Sequence, residues 1–168
     1  AAVQRLGQAG DVPAALLRRH VDYLVTQRAL GIHHGAHRDV LDAEVTMLPD
    51  AETAEFTKLA ERVSRDVNIA LANDLARAAD ALGIDYAEAA AASNSQPYSH
   101  LHAPGVGVGG HCIPVYPYFL LETADQPLVA LSRQVNDGMA TYGVDRLEGA
   151  LRESGVDGLA GRTVLILG

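Results

Sequence analysis

The residues best suited to chemistry lie between positions 102 and 112. The single cysteine of the chain, Cys112, follows Gly105, Gly107, Gly109, Gly110 and His111. Glycines let a ligand approach the backbone and expose amide groups, and a thiol beside such donors and a histidine has the surroundings of a nucleophile. A lone cysteine is also a small buried hydrophobe, and spacing alone does not choose between the two. Gly105-x-Gly107-x-x-Gly110 matches the dinucleotide fingerprint in form only. It follows His102-Ala-Pro104 rather than a buried strand and runs into Cys112-Ile-Pro114 rather than a regular helix start. His100 and His102 are loop residues that can meet an anionic ligand.

Lys58 lies in a helical run beside the core position Leu59 and one turn before Arg62, where a lysine is by default a solvated surface charge. Asn68 and Asn73 share that run and need hydrogen-bond partners if the helix is buried. His33, His34 and His37 invite a zinc reading, but Gly35 interrupts the helix that would align them and nothing nearby completes a tetrahedral set, so no metal is expected.

These residues need elements to hold them. Phe56, Leu59, Val63, Val67, Ala70, Leu71, Leu75, Ala78 and Leu82 recur every three or four residues and predict a long helix over 51–83, started by Asp50 or Thr53 and stopped at Gly83. At 1.5 Å per residue that rod is about 45 to 50 Å long and should pack against a partner. Further helices are expected over 12–30, 86–92, 117–122 (opening at Pro117) and 127–153, with a short strand or connector over 41–48. Residues 93–117 read as a structured loop. Arg162-Thr-Val-Leu-Ile-Leu-Gly168 reads as the first strand of a parallel nucleotide-binding sheet.

The chain has 168 residues, 13 basic against 21 acidic, and a net charge of −8. That balance argues against a nucleic-acid or anionic-membrane partner. No run is long and apolar enough to span a bilayer, no signal-peptide pattern is present, and one cysteine fits a reducing cytoplasm. A start at Ala1 and a last strand broken off at Gly168 make a fragment the expectation.

The order Ala54-Glu-Phe-Thr-Lys58-Leu-Ala-Glu61, then Arg65-Asp-Val-Asn68-Ile-Ala-Leu-Ala-Asn73, then Pro104-Gly-Val-Gly-Val-Gly-Gly-His-Cys112-Ile-Pro-Val, then Arg133-x-x-Asn136-Asp resembles the central region of the UDP-glucose/GDP-mannose dehydrogenase family. The His-Cys-Ile-Pro-Val form is most similar to the branch acting on UDP-N-acetylhexosamines. The resemblance implies a mainly α fold: a helical central dimerisation domain of the 6-phosphogluconate-dehydrogenase C-terminal type over 40–154, with residues 155–168 opening a truncated UDP-binding α/β domain and residues 1–39 unmatched.

It also implies oxidation of C6 of a UDP-sugar to the uronic acid, with NAD taking two hydrides in turn. Cys112 would attack the intermediate aldehyde to give a thiohemiacetal and then a thioester, and Lys58 would stabilise oxyanion character. Gly105, Gly107, Gly109, Gly110, His102 and Asn68 would meet the substrate, and the long helix would form a homodimer core. Arg62 stands where the family usually has asparagine, Tyr116 where it has aspartate and Ala103 where a basic residue is common. A phenol cannot serve as a charged base at neutral pH. The alternative reading is a catalytically inactive helical dimerisation module without its NAD domain.

Overall fold

The computed structural model describes residues 48–166; the expected helix over 12–30, the unmatched segment 1–39, the His33, His34 and His37 group and all but the end of the 41–48 connector lie outside them. Four helices follow: α1 (Ala51–Leu82), α2 (Tyr86–Ser93), α3 (Cys112–Thr123) and α4 (Pro127–Glu153).

Helix α1 starts where sequence chemistry demands. Asp50 is extended at φ −152° and its carboxylate accepts from the Thr53 amide at 2.7 Å, satisfying one orphan donor of the first turn. Its end is a Schellman closure. Gly83 at φ 67° sends its amide to the Asp80 carbonyl (3.2 Å), and the Ile84 amide reaches Ala79 (2.9 Å). Asp85 then caps α2 by accepting from the amides of Ala87 (2.7 Å) and Glu88 (3.3 Å).

One expectation is corrected. The helix placed over 117–122 begins five residues earlier, so Cys112 is the first residue of α3 and not a loop residue. Pro114 falls in the first turn, where its missing amide has no intrahelical partner to lose, and Pro117 forfeits one ladder bond inside the helix. The run expected as a strand over 162–168 pairs with no other strand among the described residues, and Val164, Leu165 and Ile166 are exposed. A strand needs a ladder partner, and the described residues contain none.

Helices α3 and α4 pack on α1, and α3 also touches α4. Contacts of Asp66 with Arg133, Asn73 with Asn136 and Asp80 with Arg146 advance together, so α1 and α4 run parallel. The buried seam is built from small and polar residues: Ala70, Ala72, Ala79, Val129 and Met139, with Asp66, Asn73, Ser132, Arg133 and Asn136. Much of the apolar stripe that marks α1 in the sequence lies outside this seam. Phe56, Leu71, Leu75 and Leu82 are exposed. Small side chains let parallel helices approach closely, and the polar ones are tolerated there because they bond across the seam.

Candidate active site

The glycine-rich loop is pinned at three successive points. The Asn94 side chain donates to the Leu101 carbonyl (2.9 Å) and accepts from the Leu101 amide (2.7 Å). Next, Tyr86 Oη donates to the His102 carbonyl at 2.9 Å, and the Gly105 amide donates to Asn73 Oδ1 at 2.9 Å. Beyond Gly105 the chain seats Val106 on Gly143 of α4, where a Cβ would come within 2.8 Å of Val106 Cγ1.

Gly107, Gly109 and Gly110 have nothing within 4 Å of an added Cβ, so the described residues do not crowd them. Gly110 alone of the loop glycines needs its residue type for backbone reasons, at φ 84°. Among the described residues no strand leads into the loop, so the formal G-x-G-x-x-G match lacks the context of a dinucleotide cradle. Among the described residues no strand–turn–helix unit is present that would hold the pyrophosphate of NAD, and these residues do not fit that cofactor.

Cys112, half-buried and unpaired by any disulfide, opens α3 behind His111, which makes no side-chain cap. With Pro114 two residues on, the amides of Cys112 and Ile113 are the orphan donors at this positive end of the helix. Tyr116 lies one turn further on the same face. Burial, and then its hydrogen bond and electrostatic contact with Cys112, push the Tyr116 phenol above its ordinary value against the pull of Arg62. Of the two departures from the family pattern, Tyr116 thus lies beside the cysteine, and the Arg62 charge acts on it. The Arg62 Nε is buried with no hydrogen-bond partner, while Nη1 lies 3.7 Å from Glu61.

The other expected site residues are placed differently. Lys58 is exposed, with Nζ 3.1 Å from Glu61, and no hydrogen bond joins it to Cys112 among the described residues. The neighbouring cations hold the Glu61 carboxyl below its ordinary value, the Lys58 hydrogen bond foremost. Asn68 turns its amide onto its own helix, donating to the Ser64 carbonyl at 2.7 Å. His102 enters through its backbone carbonyl. A cleft of about 790 Å³ lies beside the loop, but Asp80, Tyr86, Gly105, Val106, Tyr142 and Arg146 line it, not Cys112 or Lys58.

Asn73, which the sequence marks as needing a hydrogen-bond partner, ties the loop to a buried cluster that spacing alone does not single out: Asp66, Arg133 and Asn136. Their signal was present. Asp66, Ala70 and Asn73 fall at i, i+4 and i+7, so polar side chains occupy the same stripe as a small apolar one. Among the described residues no group of three metal-ligating side chains occurs, and no helix is long and apolar enough to cross a membrane.

A helical framework that delivers a cysteine at a helix start behind a glycine loop is the arrangement of a known class. Residues 52–138 match the family model for the central domain of the UDP-glucose/GDP-mannose dehydrogenase family, and the chain belongs to that family. Within it, the chain is 37% identical over 134 residues to the UDP-N-acetyl-D-mannosamine dehydrogenase of Pyrococcus horikoshii, covering 79% of this chain and 32% of that protein. It is 42% identical over 108 residues to the NDP-N-acetyl-D-galactosaminuronic acid dehydrogenase of Ralstonia nicotianae, covering 63% of this chain and 26% of that one. The solved Pyrococcus horikoshii enzyme superposes with a TM-score of 0.71 at 37% identity, over 77% of this chain and 31% of its own. The Staphylococcus aureus UDP-N-acetyl-mannosamine dehydrogenase gives 0.52 at 40% identity, over 62% of this chain and 24% of its own. The chain thus spans about a third of the first relative's length and a quarter of the second's.

Proposed function

We propose that this chain is the central part of a nucleotide-sugar 6-dehydrogenase that oxidises C6 of a UDP-N-acetylhexosamine or UDP-glucose to the uronic acid. The observation that carries this reading is Cys112 at the start of α3, behind a loop tied to α1 at Gly105, in a chain whose residues 52–138 match the family. In this reading the Cys112 sulfur adds to the carbonyl carbon of the C6 aldehyde, and the carbonyl oxygen becomes the thiohemiacetal hydroxyl. The amides of Cys112 and Ile113 face the charge that develops there. Lys58 is the further cation, which must leave Glu61 to reach the sugar. Gly105, Gly107, Gly109 and Gly110 leave room for the hexose, with His102 and Asn68 at its margin. NAD is the expected hydride acceptor, held outside the described residues. A UDP-sugar partner and a free thiol suit the cytoplasm.

The test is turnover by the complete gene product. UDP-N-acetylmannosamine, UDP-N-acetylglucosamine or UDP-glucose should yield two NADH per sugar, with Cys112→Ala abolishing product. No turnover with any of them, from folded protein, overturns the reading.

A second reading, an inactive dimerisation module, is favoured by one cluster. Tyr116 bonds Cys112, the Arg62 charge acts on that phenol, and Lys58 is paired with Glu61. Absence of turnover together with retained self-association would support it. On either reading residues 155–168 open a further α/β domain, and the exposed stripe of α1 is the homodimer surface.

A further inference from the structure

The buried seam between α1 and α4 has a polarity, and that polarity ends on the glycine loop. At one end is the Asp66 carbonyl, which can only accept. Asn136 Nδ2 donates to it at 3.1 Å and to Asp66 Oδ1 at 2.9 Å, while Arg133, a donor only, also bonds Asp66 Oδ1. The Asn136 oxygen must then face the other way, and it accepts from Asn73 Nδ2 at 2.9 Å. That turns Asn73 Oδ1 outward to the Gly105 amide, which can only donate, at 2.9 Å. An acceptor-only group at one end and a donor-only group at the other leave one consistent orientation for the two amides between them. Asp66, Asn73, Arg133 and Asn136 are all buried, with Asn73 1% exposed.

We propose that Asn73 is the positioning residue of the glycine loop, tying Gly105 to the α1–α4 seam through an amide whose orientation the Asp66–Arg133–Asn136 cluster dictates. Gly105 is the last loop residue that the seam holds by a backbone bond before the run to Cys112, so this bond sets where the loop starts relative to the cysteine. The tether stands without the enzyme reading, but its consequence for turnover rests on that reading.

The test uses the 168-residue chain by NMR. In the unaltered protein a scalar coupling across the hydrogen bond is expected between the Gly105 amide nitrogen and the Asn73 side-chain carbonyl carbon. Asn73→Ala should speed Gly105 amide exchange about tenfold while mid-α1 amides stay protected. Asn73→Asp keeps an oxygen for Gly105 and loses the donor to Asn136. It should lower the unfolding temperature yet leave Gly105 protected, a separation that a merely structural role for Asn73 would not produce. Absence of the coupling overturns the proposal even if neither variant folds. So does Gly105 exchange that is unchanged in Asn73→Ala, or that rises in both variants in step with lost stability. Turnover is not among these readouts, so the tether and the enzyme reading fail separately.

Discussion

Asp66 and Gly143 are residues whose neighbours decide their effect. Burial pushes the Asp66 carboxyl above its ordinary value of 3.8, against the pull of Arg133 and of the Asn136 hydrogen bond. A carboxyl with a raised folded pKa binds its proton more tightly in the native state. Its contribution is therefore fully present below the unfolded value and is lost as pH rises through the folded one. Urea midpoints taken upward from about pH 4 should fall across that window, and Asp66→Asn should remove that part of the slope. Equal slopes in the two proteins would show that the carboxyl is not raised. Gly143 presents two opposing effects. Alanine gains about 1 kcal/mol of helix propensity within α4, but its Cβ would meet Val106 Cγ1 at 2.8 Å. Val106 is 65% exposed and sits on a loop, so it can turn aside cheaply. Gly143→Ala is expected to raise the unfolding temperature slightly, and a clear fall would mean that Val106 is fixed in its seat.

At the scale of elements, capping chemistry was legible and packing partners were not. Asp50, Gly83 and Asp85 act locally, each on amides or carbonyls within a few residues, so α1 and α2 are found where their caps put them. Asp50→Ala should cost about 1 kcal/mol, read as a lower urea midpoint with an unchanged slope, because the Thr53 amide loses the carboxylate that accepts from it. A loss below about 0.3 kcal/mol would place that amide in water instead. The start of α3 is hidden in the sequence because two prolines look like punctuation, and only the structure shows Pro114 in the turn that tolerates it. Lys58 and Cys112 were identifiable as residues from the family pattern, but not their surroundings. A side chain's partner across 50 or more positions, such as Arg62 near Tyr116 or Asn73 at Asn136, depends on how α1, α3 and α4 meet. Periodicity carries no such information.

For the whole molecule the decisive feature is which side of α1 is left uncovered. A 32-residue helix spans about 48 Å, yet its buried face consists of Asp66, Ala70, Ala72, Asn73 and Ala79. Leu71, Leu75 and Leu82 fall at i, i+4 and i+11 on another face and are 46%, 39% and 73% exposed. Apolar side chains at helical spacing along a rod would be costly in water, and a second copy presenting the same stripe would bury both at once, as a two-fold interface does. A leucine fully buried from water contributes roughly 1.5 to 3 kcal/mol, so covering the exposed parts of these side chains on both copies favours association. Leu75→Glu places a charge in the middle of that stripe on both copies. Sedimentation equilibrium should give a dimer for the unaltered chain and a monomer for Leu75→Glu, with the helical circular dichroism of α1 retained in the variant. A dimer that survives the substitution would move the interface elsewhere. A monomer in both would leave the stripe for a different covering surface and remove self-association from the proposed function.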